Sequence, residues 1–485
     1  MATYIGNRRE LFADKALLEK MEGTALKLHE PVPMETSIVI DRPWEGVANG
    51  GISVLKLDGR YLMFYRAMNP NKLGENGRMC LAVSDDGIHW EKPELQAEGT
   101  NFVDSGNFFL DTRPGIPKEE RIKGFFTEAL SGEAHTPNWD PVGGKRCVFY
   151  ASADGTSFRK MSVQPVLESH LFNCFDGGCS MFWSDAEQQY VFYYRYSVYC
   201  VNDSKPNDIS WRRSVARVTS KDFYTWSEPE EMAYSDIPEQ FYVNNTQPYF
   251  RAPHLYVGIA ARFMEGKRVL TDEQVEACGI LPVDAVDGNG NIVHYTYYND
   301  CSDAVLLTTR AGSSVYDRTF METFVRPGPG FGNWGSRCNY PLDGGFFQMD
   351  DTTMSFFVSR RYMQDSWHIQ RMSLRLDGFA SLHAPWKGGE AITKPIIYDG
   401  SQLELNYRTS AAGWIRVEIT DENGIALPGF GRESCEIICG DQISRTVAWR
   451  SESSLSRYAG KPIRLRFVMK DADIYSYKFN RERSV

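Results

Sequence analysis

Leu81-Ala82-Val83-Ser84-Asp85-Asp86-Gly87-Ile88-His89-Trp90 is an alternating run that ends in a polar turn and closes on an aromatic ring. In such a turn the Asp accepts hydrogen bonds from nearby backbone N–H groups, and Gly permits a positive φ. The phrase returns at Ser152-Ala153-Asp154-Gly155 with Phe158, and at Ser220-Lys221-Asp222 with Trp226. A weaker copy runs from Leu307 to Tyr316, and the last runs from Ser373 through Asp377-Gly378 to Phe379. Ser84, Ser152 and Ser220 follow one another at intervals of 68 residues; Thr309 comes 89 residues later and Ser373 a further 64. Self-similarity at such a period is the signature of a repeat architecture.

A second repeat precedes each copy: a hairpin whose second strand is rich in aromatics. It is clearest at Ile52–Arg66, which turns at Asp58-Gly59, and recurs at 108–126, 180–195, 247–259 and 345–358. Asp-Gly between alternating runs is a strong hairpin signal. Two hairpins per unit make a four-stranded blade, and five units make a five-bladed β-propeller. The long fourth interval is explained by an insertion, residues 265–299, and long loops of this kind are often functional. After Phe379 the blade phrase stops. Leu403/Leu405/Tyr407, Ile415/Val417/Ile419 and Ile463/Leu465/Phe467/Met469 form alternating stripes that suit a β-sandwich. The chain is therefore expected to be all-β. Residues 1–383 would form the propeller, with 1–40 as a lead-in carrying a short helix at 15–21, and 384–485 an accessory β-sandwich.

Composition agrees. Aromatics are 13% of 485 residues, with 41 Gly and 23 Pro, which favours strands and turns. The net charge of -10 argues against nucleic acid, whose binders carry a basic face. No run is long and apolar enough for a membrane helix, and the first residues lack the pattern of a secretory leader, so a cytoplasmic location is expected. Ten scattered cysteines show no zinc spacing and are read as free thiols. The eight His form no metal constellation, and neither metal nor cofactor is expected.

The phrase Ser-x-Asp-Gly-x-x-Trp followed by Pro (Ser84–Pro93, with a variant at Ser220–Pro229) resembles the blade signature of the fructosidase/invertase and arabinanase/xylosidase-like glycoside hydrolases. Asp41–Gly46, Gln247–His254 and Arg375–Ser381 resemble an uncharacterised bacterial glycosidase-like group. The sialidase Asp-box is a rival, with one more residue between Asp and Gly. The resemblance implies a five-bladed propeller, a C-terminal sandwich and a carbohydrate substrate. The chain departs from the fructosidase pattern: the Asn-Asp-Pro-Asn-Gly nucleophile motif and the Glu-Cys acid motif are absent, and Leu110–Pro114 matches the Arg-Asp-Pro element only loosely.

Glycoside cleavage usually needs two carboxyl groups flanking the bond. Acids on or beside the first strand of each blade face the central funnel and are the candidates. Glu45 and Asp176 are expected to be the acid/base or nucleophile pair, tuned by Asp41 or Asp111. Asp343 and Glu239 are further acids for substrate contact. Arg66, Arg195 and Arg251 could clamp a carboxylated sugar, or bridge blades. Asn245, Gln247 and Asn339 could read hydroxyls, and Trp44, Trp334 and Tyr340 could stack on sugar faces. The turn acids Asp58, Asp86, Asp154, Asp222 and Asp377 are expected to be structural. A glycoside hydrolase is the first reading; a polysaccharide lyase, a sialidase-like enzyme and a non-catalytic carbohydrate-binding propeller are the alternatives. Self-association into a homo-oligomer stays open, through the insertion or the sandwich.

Overall fold

The computed structural model describes residues 2–68, 78–93, 106–130, 144–171, 174–202, 205–234, 239–286, 292–450 and 454–481. Contacts divide the chain into two compact units: residues 32–349 with 355–373, and residues 1–31 with 350–354 and 374–485.

The first unit is the propeller. Blade one comprises Gly50–Leu57, Arg60–Ala67 and Arg78–Ser84, with Glu91 bridging to Val83 at its outer edge. Blade two begins with Asn107–Leu110, followed by Ile122–Ala129 and Lys145–Ser152, with Arg159–Lys160 and Glu168–Ser169 on its outer strand. Blade three comprises Ser180–Ser184, Gln189–Asn202, Lys205–Ser220 and Glu230–Glu231. In blade four, Phe241–Asn244 and Gln247–Tyr249 both pair with Ala252–Met264, which pairs in turn with Cys301–Arg310. Blade five orders Asn339–Pro341, Thr353–Arg360, His368–Arg375 and Val32–Val39. An N-terminal strand thus supplies the outer edge of the last blade, which spares the ring an open seam.

The repeated phrase is a turn built identically three times. Ser84 Oγ accepts from Gly87 N at 2.8 Å, and Asp86 Oδ1 accepts from the N–H groups of Ile88 and His89 at 2.8 Å each. Ser152/Asp154 and Ser220/Asp222 repeat the arrangement. The rings that close the phrases are buried or half-buried: Phe158 packs beside Phe64 and Phe108, and Trp226 beside Tyr190 and Phe192.

The second unit is one ten-stranded sheet that folds over as a β-sandwich. Its two long strands, Gln402–Asp421 and Ile463–Asn480, pair along their length with a register break between Thr409 and Trp414. The three apolar stripes expected from sequence all lie in its core. Residues 1–31 do not lead into blade one. Thr3–Gly6, Glu10–Leu11, Leu18–Glu22 and Ala25–Leu28 are strands of this sheet, pairing with Ile396–Tyr398, Ile463–Asn480, Gly389–Thr393 and Ala380–Ala384. The helix expected at 15–21 is a turn followed by strand Leu18–Glu22; the partner strand offers ladder bonds that override a weak local helix preference. The boundary drawn at 383 is likewise replaced, because strands from both chain ends build this sheet.

The insertion at 265–299 carries a helix, Asp272–Cys278, with a capping box between Thr271 and Gln274, and a hairpin, Val283–Val286 with Ile292–Tyr295. Its Leu270, Val275 and Ile280 are buried against Ala48, Cys338, Tyr362 and Met363 of blades one and five. The described cysteines are free thiols.

Candidate active site in the propeller funnel

The inner strands of blades one to four neighbour one another in turn, and those of blades five and one meet at a parallel bridge between Asp343 and Ser53. Inner strands running the same way around an axis put their N-terminal ends on one face. Asp176, four residues before the inner strand of blade three, lies on that face. So do Arg66, level with Gly50 at the start of blade one, and Arg195, just beyond Tyr193, which pairs with Ser180.

Asp176 sits at the mouth of the funnel. Its Oδ2 accepts from Arg195 Nη1 at 2.6 Å, and its side chain keeps 35% of its surface open while Arg195 keeps 1%. Arg195 also donates to the Tyr242 carbonyl at 2.6 Å and lies 4.0 Å over the Tyr242 ring. Burial alone would raise the Asp176 pKa; the charges of Arg195, Lys145 and Arg337 outweigh it and hold the carboxyl ionised well below its usual range. The preceding residue, Phe175, has φ 58. Gly177 follows, where a Cβ would come within 2.4 Å of Arg195 Nη2 and 2.7 Å of the Tyr242 carbonyl. The Asp-Gly-Gly sequence therefore serves a close approach: only a bare backbone lets the guanidinium pass.

Around Asp176 stand guanidinium groups and phenol rings. Arg213 lies 5.2 Å and Arg337 4.9 Å from the Tyr242 ring centre. Arg337 also lies 5.0 Å from the ring of Tyr297, at the end of the insertion, and 5.3 Å from that of Tyr362. Its own backbone is left-handed, φ 59. Tyr340 packs 5.1 Å from Tyr242, and its hydroxyl is buried with no hydrogen-bond partner among the described residues.

The floor of the funnel is a ring of polar groups, one from each blade. Ser53 Oγ accepts from Phe108 N at 3.1 Å, and the Asn107 amide spans the backbone of Cys179 at 3.2 Å. Ser180 Oγ and Gln247 Nε2 donate to Asp343 Oδ1 at 2.9 and 3.0 Å. At Gly344 a Cβ would stand 1.9 Å from the Val54 carbonyl, so glycine alone fits beside Asp343. Burial pushes the Asp343 carboxyl up to about 7, against the lowering effect of the Gln247 and Ser180 hydrogen bonds. Asp176 and Asp343 thus favour opposite protonation states near neutral pH. Ser180, which touches Asp343, is four residues from Asp176, so no more than about 14 Å of extended chain separates the two segments.

The structure does not bring Glu45 to Asp176. Glu45 accepts from Tyr65 Oη at 2.7 Å, from Lys92 Nζ at 2.8 and 3.0 Å, and from the N–H groups of Asp41 and Arg42. Tyr65 is on the second strand of blade one and Lys92 follows its outer edge, so the group lies away from the funnel axis. Asp41 joins the same lysine at 2.8 Å. A cleft of about 600 Å³ beside it is lined by Ile38, Val39, Asp41, Trp90 and Lys92; it too follows the outer edges of blades five and one. Trp44 is half-buried and packs against the core of these blades. Asp111 follows the inner strand of blade two and therefore lies at the opposite end of the funnel, buried against Lys123 at 2.5 Å and Tyr190 at 2.7 Å. Arg251, in the turn after Gln247–Tyr249, is at that far end as well.

Glu239 is buried on Arg318, at 3.0 Å, and Arg262, at 3.2 Å. Asn245 donates to the Pro341 carbonyl at 2.5 Å, while its own side-chain oxygen is buried without a partner among the described residues. Gln247 is a floor residue. Asn339 is wholly buried, donating to Ser302 O at 2.8 Å and accepting from Arg360. Trp334 is half-buried and donates to Gly328 O at 3.1 Å. Of the expected residues, Asp176, Arg66, Arg195 and Tyr340 share the mouth, and Gln247 and Asp343 the floor. Sequence reasoning missed Arg337, Arg213, Tyr242, Tyr297 and Tyr362. Arg337 lay between two residues that were singled out, Trp334 and Asn339, but carried no signal of its own.

No family model and no curated protein matches the sequence. Among solved structures the chain is similar to a GH32 beta-fructofuranosidase of Bombyx mori, at 11% identity and TM-score 0.40, covering 94% of each chain. It is similar to an exo-inulinase from Aspergillus awamori, at 12% identity and TM-score 0.39, covering 93% of this chain and 99% of that one. A glycoside hydrolase family 43 arabinoxylan arabinofuranohydrolase from Bacillus subtilis aligns at 11% identity and TM-score 0.34, over 90% and 96%. Likenesses of this size assign no chemistry to this chain, which rests on its own residues.

Proposed function

We propose that the chain is a glycoside hydrolase acting at the mouth of the propeller funnel. The observation that carries this reading is the pair of funnel carboxyls in opposite settings: Asp176 open at the mouth with Arg195 at 2.6 Å, which favours its ionised form, and Asp343 buried at the floor, where burial pushes its carboxyl up to about 7. Environments that split two acids in this way mark acid and base assignments. Asp176 is the carboxylate that attacks the anomeric carbon or activates water, and Asp343 is the acid that protonates the leaving oxygen. Tyr242 and Tyr340 offer ring faces for the sugar. The test is a hydrolysis screen against aryl glycosides and oligosaccharides, neutral and acidic, with Asp176→Asn and Asp343→Asn run beside the wild type. Cleavage that both substitutions abolish supports the reading; cleavage that survives both sinks the assignment.

One observation favours a second reading. Among the described residues the Tyr340 hydroxyl, in the arginine-rich mouth, has no partner, and a phenol base with a guanidinium neutralising a uronate is the equipment of a polysaccharide lyase. Products carrying a 4,5-unsaturated uronate, seen by their absorbance in the ultraviolet, would select it.

A further inference from the structure

We infer that the funnel mouth takes an acidic saccharide, whose anionic substituent binds the guanidinium of Arg337 beside Arg195 and Arg213. The inference rests on the funnel being a sugar site and adds the chemical class of the sugar. It starts from charge. In a protein of net charge -10, three guanidinium groups gather on one ring, Tyr242, at 4.0, 5.2 and 4.9 Å. Arg195 is matched by Asp176 at 2.6 Å. Arg213 donates to Gln240 at 2.7 Å and meets the exposed Glu265 at 3.8 Å.

Arg337 differs from both. Among the described residues it makes no ion pair, and its one hydrogen bond there is a long one, 3.4 Å to the Tyr362 hydroxyl. Arg337 is half-buried, and holding a guanidinium partly out of water with no carboxylate in ion-pair reach among the described residues is costly. The three phenol faces offset part of that cost, but they accept none of its five N–H donors in a fork. The residue is also held in left-handed backbone, φ 59, a conformation that survives where the surroundings force it and that clusters at ligand sites. Beside it, the Tyr340 hydroxyl is buried and has no partner among the described residues. A neutral sugar would leave Arg337 as it is. A carboxylate, or a sulfate or phosphate ester, presents the oxygens that a guanidinium fork pairs with.

Titration calorimetry of the full chain with trigalacturonate, a sulfated galactobiose and glucose 6-phosphate, each against its neutral counterpart, tests this. At least one acidic probe is expected to bind about tenfold more tightly than its neutral partner, with an affinity that falls as salt rises. The arm that responds tells carboxylate from sulfate or phosphate. Arg337→Gln is expected to lose about tenfold for that probe, Arg337→Lys to lose less, and Arg251→Gln, at the far end of the funnel, to change nothing. The lysine variant keeps the test open should the glutamine variant fail to fold. Neutral probes bound as tightly as acidic ones, no acidic probe bound, or acidic binding untouched in both Arg337 variants would overturn the inference. Acidic binding that Arg337→Gln weakens, in a protein that cleaves neither trigalacturonate nor the sulfated galactobiose nor any glycoside of the screen, defeats the hydrolase reading while this one stands. A neutral glycoside cleaved with no preference for acid does the reverse.

Discussion

Glu45 and Asp176 are both carboxylates held by one buried cation, Lys92 at 2.8 Å and Arg195 at 2.6 Å. They differ in what else surrounds them. Glu45 has a fully covered side chain and every direction filled: a phenol, an ammonium and two backbone N–H groups. Asp176 keeps 35% of its side chain open, with Arg195 at 2.6 Å and the charges of Lys145 and Arg337 acting on it as well. A saturated carboxylate is a fastening; an unsaturated one at the mouth of a funnel can still take a substrate. The difference lies in coordination and exposure, not in residue type.

The comparison can be sharpened at the funnel floor. Asp343→Asn is expected to lower turnover by about 10²–10³-fold, the share of a positioned general acid, with substrate binding little changed; steady-state kinetics would check it. The wild-type rate should fall as pH rises through about 7, where Asp343 loses its proton, and a rate that holds to pH 9 would break the assignment. The comparison breaks on the other side if Glu45→Gln is harmless. Glu45→Gln leaves Lys92 with only the half-exposed Asp41 as a carboxylate partner and is expected to cost about 2 kcal/mol of stability, read by urea unfolding, while the surviving folded protein keeps its specific activity.

A third effect is one of pH on stability. The folded-state pKa of Asp343 is about 7 and the unfolded value about 3.9. Between them the folded chain binds a proton that the unfolded chain does not. This contribution is therefore complete below about pH 4 and lost as pH rises through about 7. Unfolding at pH 5 and pH 8 should show the loss in the wild type and not in Asp343→Asn. The smallest effect belongs to the repeated turns. Asp86→Ala removes two exposed backbone contacts and is expected to cost about 1 kcal/mol or less, visible as a small shift in melting temperature with no change in activity.

The repeat was legible because each turn is local. Ser84, Asp86 and Gly87 close a motif within four residues, so sequence alone specifies it. The apolar stripes at 403–407, 415–419 and 463–469 were legible for the same reason. What escaped depends on distant partners. Nothing in Leu18–Glu22 announces that Gly389–Thr393 lies beside it, and nothing in Val32–Val39 that it closes blade five. Lys92 is 47 residues from Glu45, so an acid beside a tryptophan looked like a site and is a fastening. Arg337 became visible only through its left-handed backbone and the rings the insertion and blade five place around it. Asp176 and Asp343 were both read as candidates from their places on or just before the first strand of a blade, but their opposite environments come from blades that meet only in the folded ring.

The most direct measurement compares Asp176→Asn and Glu45→Gln for glycoside cleavage per folded molecule, with the folded fraction taken from the same samples by circular dichroism. The account predicts that Asp176→Asn loses about 10³-fold or more in turnover while remaining folded, and that Glu45→Gln loses stability but keeps its activity per folded molecule. An active Asp176→Asn beside a folded, inactive Glu45→Gln would contradict it.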